Sequence, residues 1–276
     1  RSSSKESASE PVPRAHARNL MLFALFCVVI GVGVIYVTLG DFLRKALYAQ
    51  NLAARIENAE MFPYGAAPVG ISLDGNLYRG RISDQMTYVV QEPSGIAPST
   101  GWPLIVAVHG SGGTARDGLA WIGYEGQQAA AIVVAPTFAQ NIGGNFEYDA
   151  SAQSMNVLLT ELERYYPIDQ NAKIIFGFSV GGMFASLYTA EFRYFTGASI
   201  GGSPFFTEPS ASNPIRFIVV CGESDNRLPA SRGFSSAMAA RGTPVWYYEV
   251  VKGAGHTVTS VQIDKTVELL EMLHEM

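Results

Sequence analysis

Two hydrophobic patterns divide the chain near residue 64. Before it lies one unbroken apolar run, Leu20 to Leu39, with no charged residue and Thr38 as its one clearly polar member. Twenty residues at ~1.5 Å each cover roughly the ~30 Å of a hydrocarbon layer, so the run predicts a transmembrane helix over residues 20–40. A cleavable signal peptide fits less well, since its apolar region is usually ~7–15 residues and ends at a small-residue cleavage site. Residues 1–19 are rich in Ser, Pro, Ala and charge without periodicity, and predict a flexible tail. The chain opens on Arg1 rather than Met, so a processed or incomplete start is expected. Residues 41–63 predict a stalk or linker, helical over 41–61. There Phe42, Ala46, Ala49, Ala53 and Ile56 share one face, Arg44, Lys45, Arg55 and Glu57 take the others, and Pro63 ends the helix.

From residue 64 to 276 the pattern becomes short apolar runs between turns, a single domain in which strands alternate with helices. Ile71 to Ile82, turning at Asp74-Gly75-Asn76, predicts a hairpin. Strands are expected at 86–90, 104–108, 132–134 (stopped by Pro136), 172–176, 197–200, 217–220 and 245–251. Helices are expected within 114–130, over 149–165, from Gly181 to about 192, over 229–241, and from Thr257 onward. The runs Leu104 to Val108 and Ile174 to Phe176 carry β-branched residues and no charge, which suits strands covered on both faces. The alternation predicts an α/β fold with a mostly parallel central sheet and helices on both faces. No internal repeat is visible.

Composition narrows the classes. A hydrophobic content of 48% supplies a sizeable core. The net charge of −5 comes with no Lys/Arg stripe, which argues against nucleic acid. The two cysteines, Cys27 in the apolar run and Cys221 at a strand end, are placed too differently for a bridge. No metal-ligand cluster, phosphate loop or dinucleotide fingerprint is present, and no cofactor is expected: the Gly110-Ser111-Gly112-Gly113 run does not fit G-x-G-x-x-G. Around the apolar run, Arg1, Lys5, Arg14 and Arg18 precede and Arg44, Lys45 and Arg55 follow. This small excess favours an inside N-terminus and a periplasmic or extracellular domain.

The chemistry gathers just after the strands, where α/β sheets bind ligands. Ser179 lies in Gly177-Phe178-Ser179-Val180-Gly181-Gly182, a buried strand turning sharply into a helix at G-x-S-x-G spacing. Such a turn projects a serine hydroxyl clear of the sheet, and glycines let the neighbouring backbone pass close. A serine needs an imidazole to take its proton and a carboxylate to orient that imidazole. His256 follows the last strand. Of the other three histidines, His16 lies in the tail, His274 at the terminus, and His109 in the glycine loop, where ring hydrogen bonds give it a structural part. The carboxylate is Asp225 or Glu223, with Asp225 favoured for its distance from the strand end and a helix cap before Pro229 as its blander part. Trp121, Tyr124, Phe138, Phe205 and Phe206 fall near the same sheet end. Trp121 and Phe205 are the substrate-binding candidates, although core packing suits each aromatic taken alone.

These residues carry a resemblance. Pro103 to Gly113, Gly177 to Gly182, Cys221-Gly222-Glu223-Ser224-Asp225 and Gly255-His256 appear in the order seen in α/β-hydrolases. Within that superfamily the chain resembles the esterase branch that includes polyhydroxybutyrate-depolymerase-like and feruloyl-esterase-like proteins. The resemblance implies Ser179 as nucleophile, His256 as base, Asp225 as acid, and the backbone amides of Ser111 and Val180 as the oxyanion hole. It implies a small-molecule ester as substrate. The chain thus reads as a membrane-anchored serine esterase, touching the bilayer through residues 20–40 and offering residues 41–61 to a membrane-protein partner. The alternative is a non-catalytic hydrolase-fold subunit of a membrane complex.

Overall fold

The computed structural model describes residues 14–62, 76–84, 86–141, 144–210, 212–243 and 245–276; the side chains of residues 14–29, 31–33, 35 and 36 fall outside the description. Two compact units result, residues 1–50 and residues 51–276.

The first helix, α1, runs Arg14–Glu57 and supplies the described part of the first unit. Among the described residues no helix is long and apolar enough to cross a membrane. The span expected over residues 20–40 therefore draws no support from the structure, and most of its side chains lie outside the description. The expected tail over 1–19 is outside the described residues up to residue 13, and from Arg14 onward is helix. The expected stalk helix over 41–61 ends early, at Glu57. Asn58 turns, and Glu60–Met61 becomes a short strand, β1.

The second unit is built on a nine-stranded sheet. After β1 come β2 (Leu77–Ser83), β3 (Met86–Gln91), β4 (Trp102–Val108), β5 (Ile132–Phe138), β6 (Ile168–Phe178), β7 (Gly197–Gly201), β8 (Arg216–Gly222) and β9 (Tyr247–Val251). Their order across the sheet is β1-β2-β3-β5-β4-β6-β7-β8-β9, parallel except where β3 pairs with β2 and β5. Of the hairpin expected over Ile71 to Ile82, residues 71–75 and with them most of the turn lie outside the described residues; β2 turns at Asp84 and pairs antiparallel with β3. Pro136 does not stop β5 as expected. The Phe138 amide donates to His109 Nε2, on the β4 side, and alternate residues face the same way. Pro136 therefore turns its nitrogen toward β4, and the β4–β5 register ends at Val106 and Val134, where the next bond would need that N–H; β5 runs on because its pairing with β3 continues to Phe138 opposite Met86.

Strand alternation sorts the core into two layers. Leu104, Val106 and Val108 of β4, Ile175 of β6 and Ala198 and Ile200 of β7 pack toward three helices: α3 (Tyr148–Tyr165), α4 (Val180–Glu191) and α5 (Leu228–Ala240). The other face meets α2 (Ala115–Gln128) and α6 (Ser260–His274). There α2 lies close, because a Cβ at Gly118 would strike the Ala107 carbonyl. On α6, Thr266 donates to Ser199 at 2.7 Å and Gln262 to the Gly177 carbonyl at 3.2 Å. The long strands β4 and β6 are buried on both faces along most of their length, each aliphatic contributing ~1.5–3 kcal/mol. That scaffold fixes where their carboxyl ends lie.

Candidate active site

Strand β6 ends at Phe178, α4 begins at Val180, and Ser179 is the single residue between them. It adopts φ 56° and ψ −122°, a conformation L-residues avoid. Such strain costs ~1–3 kcal/mol, about what one buried aliphatic of the flanking strands supplies. The Ser179 amide donates to the Gly201 carbonyl at 2.9 Å, and its carbonyl accepts from Met183 at 3.0 Å, so both sides of the turn are held. A Cβ at Gly177 would overlap the Gly181 carbonyl, and one at Gly181 would overlap the carbonyls of Val108 and His109. Each glycine is thus required by a backbone that passes where a side chain would be.

The three dispersed residues expected to cooperate are brought together. Ser179 Oγ stands 3.0 Å from His256 Nε2, and His256 Nδ1 stands 2.7 Å from Asp225 Oδ2. Proton placement follows from the partners: Nδ1–H donates to the carboxylate, leaving Nε2 to accept from the hydroxyl. His256 arrives on the β9–α6 loop and lies against the Phe178 ring, centroids 4.6 Å apart. Its side chain is 33% exposed, whereas that of Asp225 is 1% exposed. Burial pushes the Asp225 carboxyl up, but the hydrogen bonds from His256 and from the Arg227 amide at 3.0 Å, with the nearby charges of both residues, outweigh it and hold the group below its ordinary value. Glu223, the competing carboxylate, is exposed and accepts instead from the Gly253 amide at 3.0 Å, tying the β8–α5 loop to the loop that carries His256.

The glycine loop after β4 flanks the serine. A Cβ at Gly110 would sit 3.4 Å from that of Ser179. Of the loop amides, Gly112 donates to Gln140 Oε1 at 2.7 Å and Gly113 to the Gly110 carbonyl at 3.1 Å. No hydrogen bond among the described residues takes the Ser111 amide. Val180 opens α4, so its amide has no acceptor within the helix. His109 is fully buried below the loop. Its Nδ1–H donates to the Gly110 carbonyl at 2.7 Å and Nε2 accepts from the Phe138 amide at 3.2 Å, and burial lowers its pKa. Both ring nitrogens are spent on backbone, as befits a neutral structural imidazole.

A cleft of ≈ 450 Å³ opens on these groups, lined by the glycine loop, Asp117, Trp121, Phe178, Ser179, Arg227 and His256. Trp121 is there as expected; Phe205 is not. Phe205 is 45% exposed away from the lining, Phe206 stacks on Phe234 with centroids 4.7 Å apart, and Tyr124 and Phe138 are buried. Gln140, Asp117 and Arg227 escaped the sequence reading. Their one signal was position: each follows or opens an element at the carboxyl edge of the sheet. Among the described residues, no group of three or more His, Cys, Asp or Glu could hold a metal ion, and Cys221 is free and buried.

Solved structures share this architecture. The feruloyl esterase module from Clostridium thermocellum complexed with sinapinate matches with a TM-score of 0.58 at 16% identity, over 79% of this chain and 96% of that one. A fluorophosphonate-binding serine hydrolase of Staphylococcus aureus matches with a TM-score of 0.54 at 11% identity, over 72% of this chain and 98% of that one. The fold is that of the α/β-hydrolases. Among curated proteins, the probable feruloyl esterase C of Aspergillus terreus is 28% identical over 159 residues, 54% of this chain. The match spans little more than half of that relative, 58% of its length. No protein-family model matches the chain.

Proposed function

We propose that the chain is a serine hydrolase cleaving carboxylic esters. The observation that carries this reading is the pair of hydrogen bonds joining Ser179, His256 and Asp225, at 3.0 and 2.7 Å, beside the glycine loop. In the proposed reaction His256 Nε2 takes the hydroxyl proton as Ser179 Oγ attacks the ester carbonyl. The amides of Ser111 and Val180 receive the negative charge that develops on the carbonyl oxygen. Collapse of that intermediate breaks the bond to the alcohol, which leaves with the proton from His256, and an acyl-enzyme remains. Water attacks this ester with the same base and releases the acid. The buried, ionised Asp225 fixes the imidazole tautomer and favours its cation. Likeness to esterases in fold, and to a probable feruloyl esterase over part of the chain, supports the same class and directs the first trial substrates to hydroxycinnamoyl esters.

A fluorophosphonate probe tests the reading. It should label the wild-type protein within minutes, and Ser179→Ala should lose both labelling and hydrolysis of p-nitrophenyl esters. An alanine variant that kept full activity would defeat the proposal. A protein that never labels, yet always copurifies with fixed membrane partners, would instead be the non-catalytic subunit.

Membrane anchoring through residues 20–40 stays part of the proposal, on the uncharged run from Leu20 to Leu39. The exposure of Ile30, Val34, Val37, Leu39 and Phe42 on α1 supports it, since such side chains call for a cover. The hydrolase unit would then lie outside the cytoplasm, and residues 41–61 would be the segment open to a membrane-protein partner. Fractionation decides: the full chain should stay with membranes through alkaline washing and leave only with detergent, and release by the wash would overturn the anchor.

A further inference from the structure

Two of the residues lining the cleft beside Ser179 bear carboxylate or guanidinium groups, Asp117 and Arg227, and their charges are spent differently. Asp117 Oδ2 accepts from the Thr114 amide at 2.8 Å and the Thr114 hydroxyl at 3.2 Å, in a capping box at the first turn of α2. The positive end of that helix already offsets its charge. Arg227 has no comparable partner. Its Nη1 donates to the neutral side-chain oxygen of Asn226 at 2.8 Å. The Asp225 carboxylate stands 3.7 Å from Nη1, too far for a good hydrogen bond. That carboxylate is also committed elsewhere, Oδ2 to His256 and Oδ1 to the Arg227 backbone amide. Arg227 Nε is buried with no hydrogen-bond partner among the described residues. The side chain as a whole keeps 31% of its surface exposed and lines the cleft. A guanidinium left short of acceptors beside a reacting centre is a group awaiting one. The other large side chains of the cleft, Trp121 and Phe178, are aromatic and carry no charge to offer an anion.

We infer that Arg227 determines specificity: its guanidinium receives a carboxylate carried by the substrate, so the cleft selects esters bearing an anionic group close to the scissile carbonyl. The inference rests on the esterase reading and names the substrate class of that same site. The aromatic wall takes the apolar part of the ester and Arg227 takes its charge.

Matched esters test it. Activity (kcat/KM) is measured on p-nitrophenyl esters whose acyl chain ends in a carboxylate and on the same compounds capped as methyl esters. A second matched pair carries the charge on the alcohol side. Wild type should prefer the charged member of at least one pair. Arg227→Gln should lower that charged-to-neutral ratio about tenfold, the worth of a charge-assisted hydrogen bond at a part-exposed site. Arg227→Lys should fall between the two, and high salt should shrink the wild-type preference while leaving that of the glutamine variant unmoved. A wild type with no preference in either pair overturns the inference. So does a glutamine variant that lowers both members by one factor, because Arg227 would then serve only to position Asp225. Should the glutamine variant fail to fold, the lysine variant decides by the same ratio. A wild type that cleaves no ester and resists fluorophosphonate sinks the esterase reading itself, which separates that failure from this one.

Discussion

Gly202 lies so close against His256 that a Cβ built on it would stand 3.0 Å from both Cε1 and Nδ1 of the imidazole, and 2.9 Å from Asp225 Oδ2. Its φ of 51° adds backbone strain for any other residue. No flexible side chain separates it from the pair, so the imidazole or the carboxylate must move. On the proposed mechanism, Gly202→Ala should push the pair by a few tenths of an ångström and lower kcat/KM by about tenfold, short of the roughly hundredfold that a ~1 Å misplacement can cost. Fluorophosphonate labelling should slow in step. A variant labelling at the wild-type rate would show that the pair tolerates the intrusion.

Asp225 links the site to stability. Its carboxyl is held below its ordinary value, so the folded protein binds that proton less readily than the unfolded chain. The stabilisation is therefore present above the unfolded-state value, near pH 4, and disappears as the pH falls through the lower folded value. Asp225→Asn should remove this acid dependence. Denaturant titrations from neutral pH downward should show the wild type losing stability relative to the variant below about pH 4. At neutral pH the same variant should lose on the order of ten-thousandfold in kcat, since an amide donating to Nδ1 holds the imidazole in the wrong tautomer, with its proton on Nε2.

Much of this was legible beforehand, for reasons that also explain what was not. Ser179, Asp225 and His256 follow strands, and a parallel sheet gathers strand ends on one rim whatever the intervening lengths. The glycines at 177 and 181 announced a backbone crossing. Local signals failed where a tertiary neighbour decides. Ser83-Asp84 carries little turn chemistry, yet β2 turns there, because its pairing with β3 runs from Leu77 opposite Gln91 to Ser83 opposite Met86. Pro136 ends the pairing with β4 but not the strand, which β3 carries on to Phe138. Phe205 and Trp121 look alike as aromatics near a strand end. What separates them is that Trp121 sits on α2, packed edge-on to Phe178 with centroids 5.7 Å apart, while Phe205 projects from a loop into solvent.

Gln140 braces the glycine loop with both ends of its amide, accepting from Gly112 at 2.7 Å and donating to the Gly113 carbonyl at 3.3 Å. By occupying Gly112 it leaves Ser111 as the loop amide available to an oxyanion. Gln140→Ala should loosen that amide and lower kcat by about tenfold, less than the ~10²–10³ lost when an oxyanion donor is removed outright. KM should change little, because the brace matters most as charge develops. Steady-state kinetics on one neutral p-nitrophenyl ester separates the two. A rise in KM at constant kcat would place Gln140 in substrate binding instead.

His109 supports the same loop from below and responds to pH in a calculable direction. Burial lowers its pKa, so the unfolded chain takes up a proton that the folded protein resists. Stability therefore rises with pH through the window below the unfolded value of about 6.5, and is lost as the pH falls from there. Protonation would also force a donor against the Phe138 amide at Nε2. His109→Gln, which can still donate and accept, should flatten the stability profile below about pH 6.5. His109→Ala should cost about 2–3 kcal/mol, from two unpaired backbone groups and the space left among Phe138, Phe146 and Gly113. Melting curves of the three proteins across that pH range provide the check. A glutamine variant as pH-sensitive as the wild type would assign the acid loss of stability to another group.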